Sequence, residues 1–570
     1  MLDAHPGIET KGYAVGMQKT PFFMAAFALA THAPALASEG NPSFLQKGAG
    51  SVARSVSDKL SDFANVKDKG ARCDGMTDDT AAIQRAVNAG GTVQLPSGVC
   101  LVSTIVLPSN VTLVGQGNLS ELKRIPGVAA GPLVTANGAS KVTLANLAVN
   151  GNAQDAKGVH SNVYVTNSSD VLIDNVRAVN SLLHGISVTH SADKAQLTIS
   201  TIRNSTVILA AQYGIEAQDT PRIVIENNRI TRTASYGILV YGTTPGAVKN
   251  AVINGNSVAD AGGSGIAVPF IDGGTALTPG VEEVTLIGNT VETSALNGYV
   301  IQGRFATLTG NTAARNGGAA SHQGFVINVM GVTATSNVAS RNAGVGIDFG
   351  DCKRVIASSN LVEENGMIGI EINSTEDFSI TGNVVINNNR TNAAGDLGAG
   401  ILAHLGTGGY PFRGKTINGA ISNNVVRAGA HQKFGIKVTA DTSNIRIMGN
   451  DALASGTVRD FEILTPTGQF IESGNAVAVP SYAAAPTVTI PQVGSNFLIN
   501  AGDTIKNLAT DGGTYQLGRI VTLSFSGAAT VSNGRGNVHL SAGPFKAVKG
   551  STLTLIRADG ARWTEISRSR

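Results

Sequence analysis

GVGIDFGDCKRVIASSNLVEENGMIGIEINSTEDFSITGN, residues 344–383, states one phrase twice. A Gly opens an alternating run (IDF, then IEI), and a β-branched run follows that closes on Asn (VIASSN, then FSITGN). The phrase continues in both directions. Its alternating runs follow Gly185, Gly214, Gly237, Gly265, Gly298, Gly324, Gly346, Gly369, Gly400 and Gly435, at intervals of 22 to 35 residues with a mean of about 28. Its Asn marker falls at 175, 204, 228, 256, 289, 311, 337, 360, 383, 424 and 450. One phrase returning with strand chemistry in both halves predicts a solenoid. Strands joined by short turns, one rung per repeat, make a parallel β-helix whose rungs stack at about 4.8 Å. A β-sandwich does not repeat a single phrase ten times. Asn suits the turn because it tolerates the left-handed conformation, and stacked Asn side chains can hydrogen-bond from rung to rung.

Composition agrees. The 570 residues include 69 Gly, roughly 12% against a usual ~7%, without a collagen period. Charged residues are 14% and hydrophobic residues 42%, too apolar for a disordered chain. The net charge of +3 demands neither nucleic acid nor an anionic membrane as partner. Near the start, Met17–Lys19, the apolar run Pro21–Leu29 and Ala35-Leu36-Ala37 read as a secretory signal cleaved near Ala37, with residues 1–16 a mis-started leader. The run is too short for a membrane span, so a secreted protein is expected, extracellular or periplasmic. Cys73 and Cys100 are then available to pair in an oxidising compartment. Cys352 is left over, and the pairing stays open.

An open β-helix needs covers at its ends. TDDTAAIQRAVNAG, 77–90, predicts an amphipathic capping helix with Thr77 or Asp78 as N-cap, Ala81, Ile83, Ala86 and Val87 on its apolar face, and Gly90 as terminator. From about 483 the repeat stops and strands meet turns around the single Trp563, which predicts a small separate β domain. The expected organisation is leader and signal 1–37, lead-in segment 38–76, β-helix with its capping helix 77–480, and C-terminal β module 481–570.

Residues 44–86, with VKDKGARCDGMTDDTAAIQ at their centre, resemble the leading segment of phage tailspike and pectate-lyase-like β-helix proteins, VKDFGAxGDGxTDDTxAIQ. Lys69 and Cys73 depart from that pattern, at a Phe and a Gly. The C-terminal stretch from GRIVTLSFSG to RWTEIS looks like the terminal module of tail-fibre and depolymerase-like chains. The resemblance implies an all-β, right-handed parallel β-helix, a polysaccharide ligand and a homotrimer. It implies no single reaction, because one fold hosts many chemistries.

In related enzymes the Gly-marked strand belongs to the sheet carrying the substrate groove. After each Gly the second and fourth residues should point outward. Asp348 and Glu371 then stand on neighbouring rungs in one file, with Asp351 at a strand end. Like charges this close raise one pKa, and a raised acid beside an ionised partner suits glycoside hydrolysis. Tailspike glycosidases also use small groups of Asp and Glu, so Asp348, Glu371 and Asp351 are the catalytic candidates. His404, Lys353, Arg354, Asn373, Asn328, Gln302, Arg304, Lys437 and Tyr410 are the substrate-binding candidates. Tyr410, with Phe412 and Arg413, lies in one of three long excursions, 269–283, 387–399 and 405–415, of the kind that gathers on a binding face.

Solvated acids neutralised by Lys353 or Arg354 are the bland reading of the same residues. No cofactor is expected, and a Ca²⁺ site built from the three acids is the alternative. Glu216 and Asp219 in YGIEAQDT resemble the YGxDPHD phrase of alginate epimerases without its Pro and His. His184 and His190 read as surface or turn residues.

Three functions compete. The first is an endo-acting polysaccharide hydrolase. The second is a lyase eliminating across a uronate, with Lys353, Arg354, Lys437, His404 and Arg304 as candidate base and cation. The third is a non-catalytic glycan-binding adhesin. Polygalacturonase in the strict sense is disfavoured, because its NTD, DD and RIK signatures do not occur in order.

Overall fold

In the computed structural model one rung is three short strands. Ile347–Gly350 sends Ile347 and Phe349 into the core, Lys353–Ser358 sends Val355 and Ala357, and Leu361–Glu363 sends Val362. Corners between them are made by residues in the left-handed region, Asp351 at φ 51° and Ser359 at φ 57°. The next rung repeats the three strands as Ile370–Asn373, Glu376–Thr381 and Val384–Ile386, each parallel to its predecessor and in register. Ile347 meets Ile370 and Phe349 meets Ile372, so identical roles stack. The Gly-marked strands form one 14-stranded sheet, from Ile105–Val106 to Arg459–Ile463, and the other two strands of each rung stack alongside. The structure describes residues 42–570 apart from 129–130, 156, 192–198, 272–278, 319–320, 407–414, 466–469, 477–480, 512–515 and 570. The proposed signal, 17–37, lies outside the described residues.

One continuous hydrophobic cluster fills the coil from Val66 to Phe470, with Val493 joined to it. It is built mostly of Ile, Val, Leu and Ala. Each buried branched side chain contributes roughly 1.5–3 kcal/mol relative to exposure. Parallel strands covered on the inner face need no more than this alternation.

The Asn markers divide into two roles. From Asn228 to Asn475 they are buried and form a ladder: each Nδ2 donates to the Oδ1 of the next rung, and each backbone N–H donates to that same oxygen. The left-handed residue is the one before, for example Asn227, Gly255, Ser359 or Gly382. Asn175 and Asn204 sit in that earlier position themselves, both at φ 52°, and Ser205 starts the ladder by donating its backbone N–H to Asn228 Oδ1 at 2.9 Å. A second ladder of Asn316, Asn342, Asn365 and Asn388, ending on Gln432, runs parallel to the first. It was not foreseen, although four of its members follow a marker Asn by five residues.

At the N-terminal end, strand Asp74–Asp78 precedes the helix, which is Thr80–Asn88 and shorter than expected. Ala82, not Ala81, joins Ile83, Ala86 and Val87 in the buried face. The N-cap position is Asp79, and its side chain caps nothing. It accepts the backbone N–H groups of Arg72 and Cys73 at 2.7 and 2.9 Å instead, tying the lead-in segment to the helix. Cys73 and Cys100 are disulfide-bonded, and Cys352 is free and buried. From Ala484 to Trp563 a second hydrophobic cluster forms under a six-stranded mixed sheet, with the Trp563 indole N–H donating to the Leu508 carbonyl at 2.9 Å. The described residues 42–61 form a separate small unit, a two-stranded antiparallel pair and the short helix Val56–Leu60. Among the described residues no helix is long and apolar enough to cross a membrane.

Asn360 donates to Asn383 Oδ1 and the Ala334 carbonyl, and accepts from Asn337. Asn360→Ala strands those buried groups and should cost about 2–3 kcal/mol, read as a lowered Tm. Arg446→Ala, at an exposed position, should change stability by less than about 0.5 kcal/mol. Equal effects from both would sink the ladder's role.

Candidate functional site

Register makes the file that alternation predicts. Val326, Asp348, Glu371, Leu402, Lys437 and Glu462 are successive partners across the Gly-marked sheet, so Asp348 and Glu371 have backbones about 4.8 Å apart. Gly350, Asn373 and His404 form the parallel file two residues on. A Cβ on Gly350 would stand 2.9 Å from Asn328 Nδ2 and 3.5 Å from Asp348 Oδ1, so the glycine keeps the space beside that carboxyl open.

The two acids have different surroundings. Asp348 is half-buried, and its Oδ1 is enclosed without a hydrogen-bond partner among the described residues. Burial pushes its pKa well above the usual carboxylate range, and Glu371 and Asp351 push the same way. Glu371 Oε1 lies 2.7 Å from His404 Nε2. Burial alone would lower the His404 pKa, but the hydrogen bond to Glu371 and the carboxylates of Glu371, Asp441 and Asp396 outweigh it, and the net shift is upward. A carboxyl whose pKa burial raises thus stands one rung from a carboxyl hydrogen-bonded to an imidazole, an asymmetry that general acid–base chemistry uses.

Other candidates fall into place differently. Asp351 occupies the left-handed corner, with its N–H donating to the Asn373 carbonyl at 2.9 Å and its side chain buried. Asn328 and Gln302 are on the face but buried. Gln302 donates to Asn328 Oδ1 at 3.0 Å and Asn328 to the Gly350 carbonyl at 2.8 Å, so their amides serve the wall itself. Asn373 is half-buried beside His404, and a Cβ on Gly406 would fall 1.7 Å from its Oδ1, which brings the following loop onto it.

Lys437 is in the file but locked, 2.8 Å from Asp396 and also paired with Glu462, over the Phe434 ring at 4.2 Å. Lys353, Arg354 and Arg304 are not beside the acids. After the Asp351 corner, Lys353 and Arg354 belong to the next face, where Lys353 pairs with Glu376 at 3.1 Å. Arg354 and Arg304 flank the Phe305 ring at 5.7 and 5.6 Å. Arg354 lines a separate groove of about 380 Å³ with Phe305, Ile356 and Glu283. Lys353 and Arg354 are thus engaged with Glu376 and Phe305 rather than with Asp348 or Glu371. Tyr410, Phe412 and Arg413 lie outside the described residues. Asp348, Glu371 and Asp351 do not bring one oxygen each within 4.8 Å of one another. The one group of three candidate ligands within 4.8 Å of one another, among the described residues, is Cys73, Asp79 and Cys100, where both cysteines are disulfide-bonded.

A second polar cluster lies on the same sheet. Glu216 is buried, accepts Ser187 Oγ at 2.6 Å, and lies 3.2 Å from the Tyr241 hydroxyl and 3.4 Å from His184 Nε2. His184 stacks on Tyr213 with centroids 4.7 Å apart. His184 and His190 are buried, not the surface residues expected. Burial lowers the pKa of both, and Glu216 only partly offsets this at His184. Tyr241 is pushed up by burial and then by Glu216. Asp219 accepts the backbone N–H and the hydroxyl of Thr243, both at 2.6 Å. The same alternation that sets Asp348 beside Glu371 sets Ser187 beside Glu216 and Gln218 beside Tyr241; His184 and Tyr213, which precede the marker glycines, are what it leaves unmarked.

Known proteins with this architecture share stretches of the sequence. A family model described as a right-handed beta helix region matches residues 133–270 and 270–417. Another, rhamnogalacturonase A/epimerase, pectate lyase-like, matches 63–137. The pre-neck appendage protein of Bacillus phage phi29 is 33% identical over 150 residues, 24% of this chain and 18% of that protein. The mannuronan C5-epimerase AlgE2 of Azotobacter vinelandii is 31% identical over 257 residues, 39% of this chain and 25% of that one. The chain thus spans a quarter or less of the length of these curated relatives. The solved N-terminal fragment of the bacteriophage phi29 gene product 12 superposes with a TM-score of 0.52 at 16% identity, covering 85% of this chain and 84% of that one. The in-register coil and the family match over half its length agree: the chain belongs to the right-handed β-helix family.

Proposed function

We propose that the protein is a polysaccharide-cleaving enzyme, an endo-acting glycoside hydrolase whose acid is Asp348 and whose carboxylate partner is Glu371. The observation that carries this reading is the contrast between the two acids: Asp348 is enclosed and pushed up, and Glu371 is held by His404. Asp348 gives its proton to the glycosidic oxygen as the bond to the anomeric carbon breaks. Glu371 attacks that carbon or takes a proton from the water that does, and water ultimately supplies the new hydroxyl. His404 positions Glu371. Asp351 is a positioning residue that keeps Asp348 protonated by adding negative charge nearby. The likeness to a mannuronan C5-epimerase and to a phage appendage protein supports an extracellular or phage-associated setting in which glycan is the ligand.

A lyase or epimerase centred on Glu216 is the second reading, favoured by the YGIEAQDT phrase. It is weaker on chemistry. Glu216 already has three neighbours within hydrogen-bonding or ion-pair reach, and a tyrosine pushed upward like Tyr241 is a poor base near neutral pH.

Incubation with a panel of acidic and neutral exopolysaccharides, reading reducing ends together with ultraviolet absorbance, separates the two. New reducing ends without an unsaturated product are expected. Asp348→Asn and Glu371→Gln should each lower kcat at least about 100-fold. Full activity in both would remove this site.

Asp348→Asn should also raise Tm near neutral pH. A carboxyl whose folded pKa is raised favours the fold below its unfolded pKa and costs stability as pH rises through the folded value; the amide has no such cost. A lower Tm for this variant at pH 7, at an unchanged fold, would contradict the account.

Asp351→Asn removes one of the anions that keep Asp348 protonated. The alkaline limb of the kcat/KM profile should move to lower pH in that variant, and an unmoved limb would assign that limb to another group.

A further inference from the structure

The charges around the acids bear on the kind of sugar that enters. On the strands from Tyr299–Ile301 to Arg459–Ile463 the acidic residues are Asp348, Glu371, Asp460 and Glu462, with Asp351 and Asp396 at strand ends. The basic residues on the same strands are His404, Lys437 and Arg459. Each is already engaged: His404 with Glu371 at 2.7 Å, Lys437 with Asp396 and Glu462, and Arg459 with Glu462 at 3.4 Å and Asp511 at 3.3 Å. Of the other cations expected from sequence to meet a substrate carboxylate, Lys353 pairs with Glu376, and Arg354 and Arg304 pack on Phe305.

A uronate carboxylate at the cleaved ring would therefore meet a face on which each cation of these strands already has a carboxylate partner, and Lys433, just before Phe434–Val438, is turned to the Ala393 carbonyl at 2.9 Å. Two bare like charges about 5 Å apart would weaken binding by at most about two powers of ten at an effective dielectric of 20, and His404 already offsets part of the Glu371 charge. Recruiting Lys437 as a counter-charge requires breaking its contacts with Asp396 and Glu462. The wall instead offers uncharged groups beside the acids, the Asn373 amide among them, which suit sugar hydroxyls.

We propose that the residue bound across Asp348 and Glu371 is an uncharged sugar, so that the substrate is a polysaccharide without a carboxylate at the cleaved unit. This rests on the hydrolase reading above and narrows it. It also disfavours elimination here, because eliminating across a uronate needs a cation on the carboxylate, and the cations of these strands are engaged with the protein's own carboxylates.

Matched polymer pairs test it: several uronate-containing polysaccharides, each beside its carboxyl-reduced counterpart, so that linkage is kept and charge removed. Reducing-end release by the full-length protein is compared within each pair, with Asp348→Asn run alongside. The reduced member should be cleaved about 30- to 100-fold faster at low salt, with that cleavage lost in Asp348→Asn. Faster cleavage of the acidic member, still lost in Asp348→Asn, would overturn the uncharged-sugar inference and leave the hydrolase reading standing. No cleavage of either member of any pair, or cleavage that survives Asp348→Asn, would overturn both. The double variant Asp396→Asn/Glu462→Gln frees the Lys437 charge and should narrow the preference within a pair. An unchanged preference would show that these charges do not set it.

Discussion

Parallel stacking in register is the constraint on which everything else in this molecule hangs. Each strand is short and weak alone, and its backbone groups find partners only in the rungs above and below. The buried Asn ladders pin that register, because each Oδ1 accepts both the backbone N–H and the side-chain Nδ2 of the preceding rung's Asn. A slip of one residue would break the ladder and turn every core side chain outward at the same time. The proximity of Asp348 and Glu371, 23 positions apart in sequence, is a by-product of this pinning.

The acids exploit a surface that the fold leaves unconstrained. Inward positions are committed to Ile, Val and Phe, whereas the outward file varies from Val326 to Asp348 to Lys437 without disturbing the core. At Asp348 the variation is unfavourable for folding, since an enclosed oxygen without a partner and two neighbouring anions all oppose ionisation. Lys437 shows the opposite case: two carboxylates hold it, and its charge is spent within the protein. Placement in one file thus does not equate to a shared role.

The coil was readable because its two periods, alternation within strands and the phrase between rungs, are both local in sequence. The neighbour relation of Asp348 and Glu371 followed from the same two periods. Corners were harder. Asp351 takes a left-handed conformation that turns Lys353 and Arg354 onto the next face, and nothing in DCKR distinguishes this from a continuing strand. The partners of Lys437 come from a 3₁₀ turn around Asp396 and from the following rung at Glu462, and both contacts arise only after the stack has formed. The marker Asn was read as the turn residue at every rung. In most rungs the turn residue is the one before it, often Gly or Ser, while the Asn lies inside.

Coils of this kind transmit stability from each turn to its neighbours only, so they come apart from their ends, as a zip does. The bond between Cys73 and Cys100 staples the first turns beneath the Thr80–Asn88 helix, where such fraying would begin. Under reducing conditions that terminus becomes the weak one, and peeling would start beside the helix, many rungs from the acids. A protein stapled in this way is suited to surroundings where thiols oxidise, and its durability there is decided at a turn far along the coil from Asp348 and Glu371.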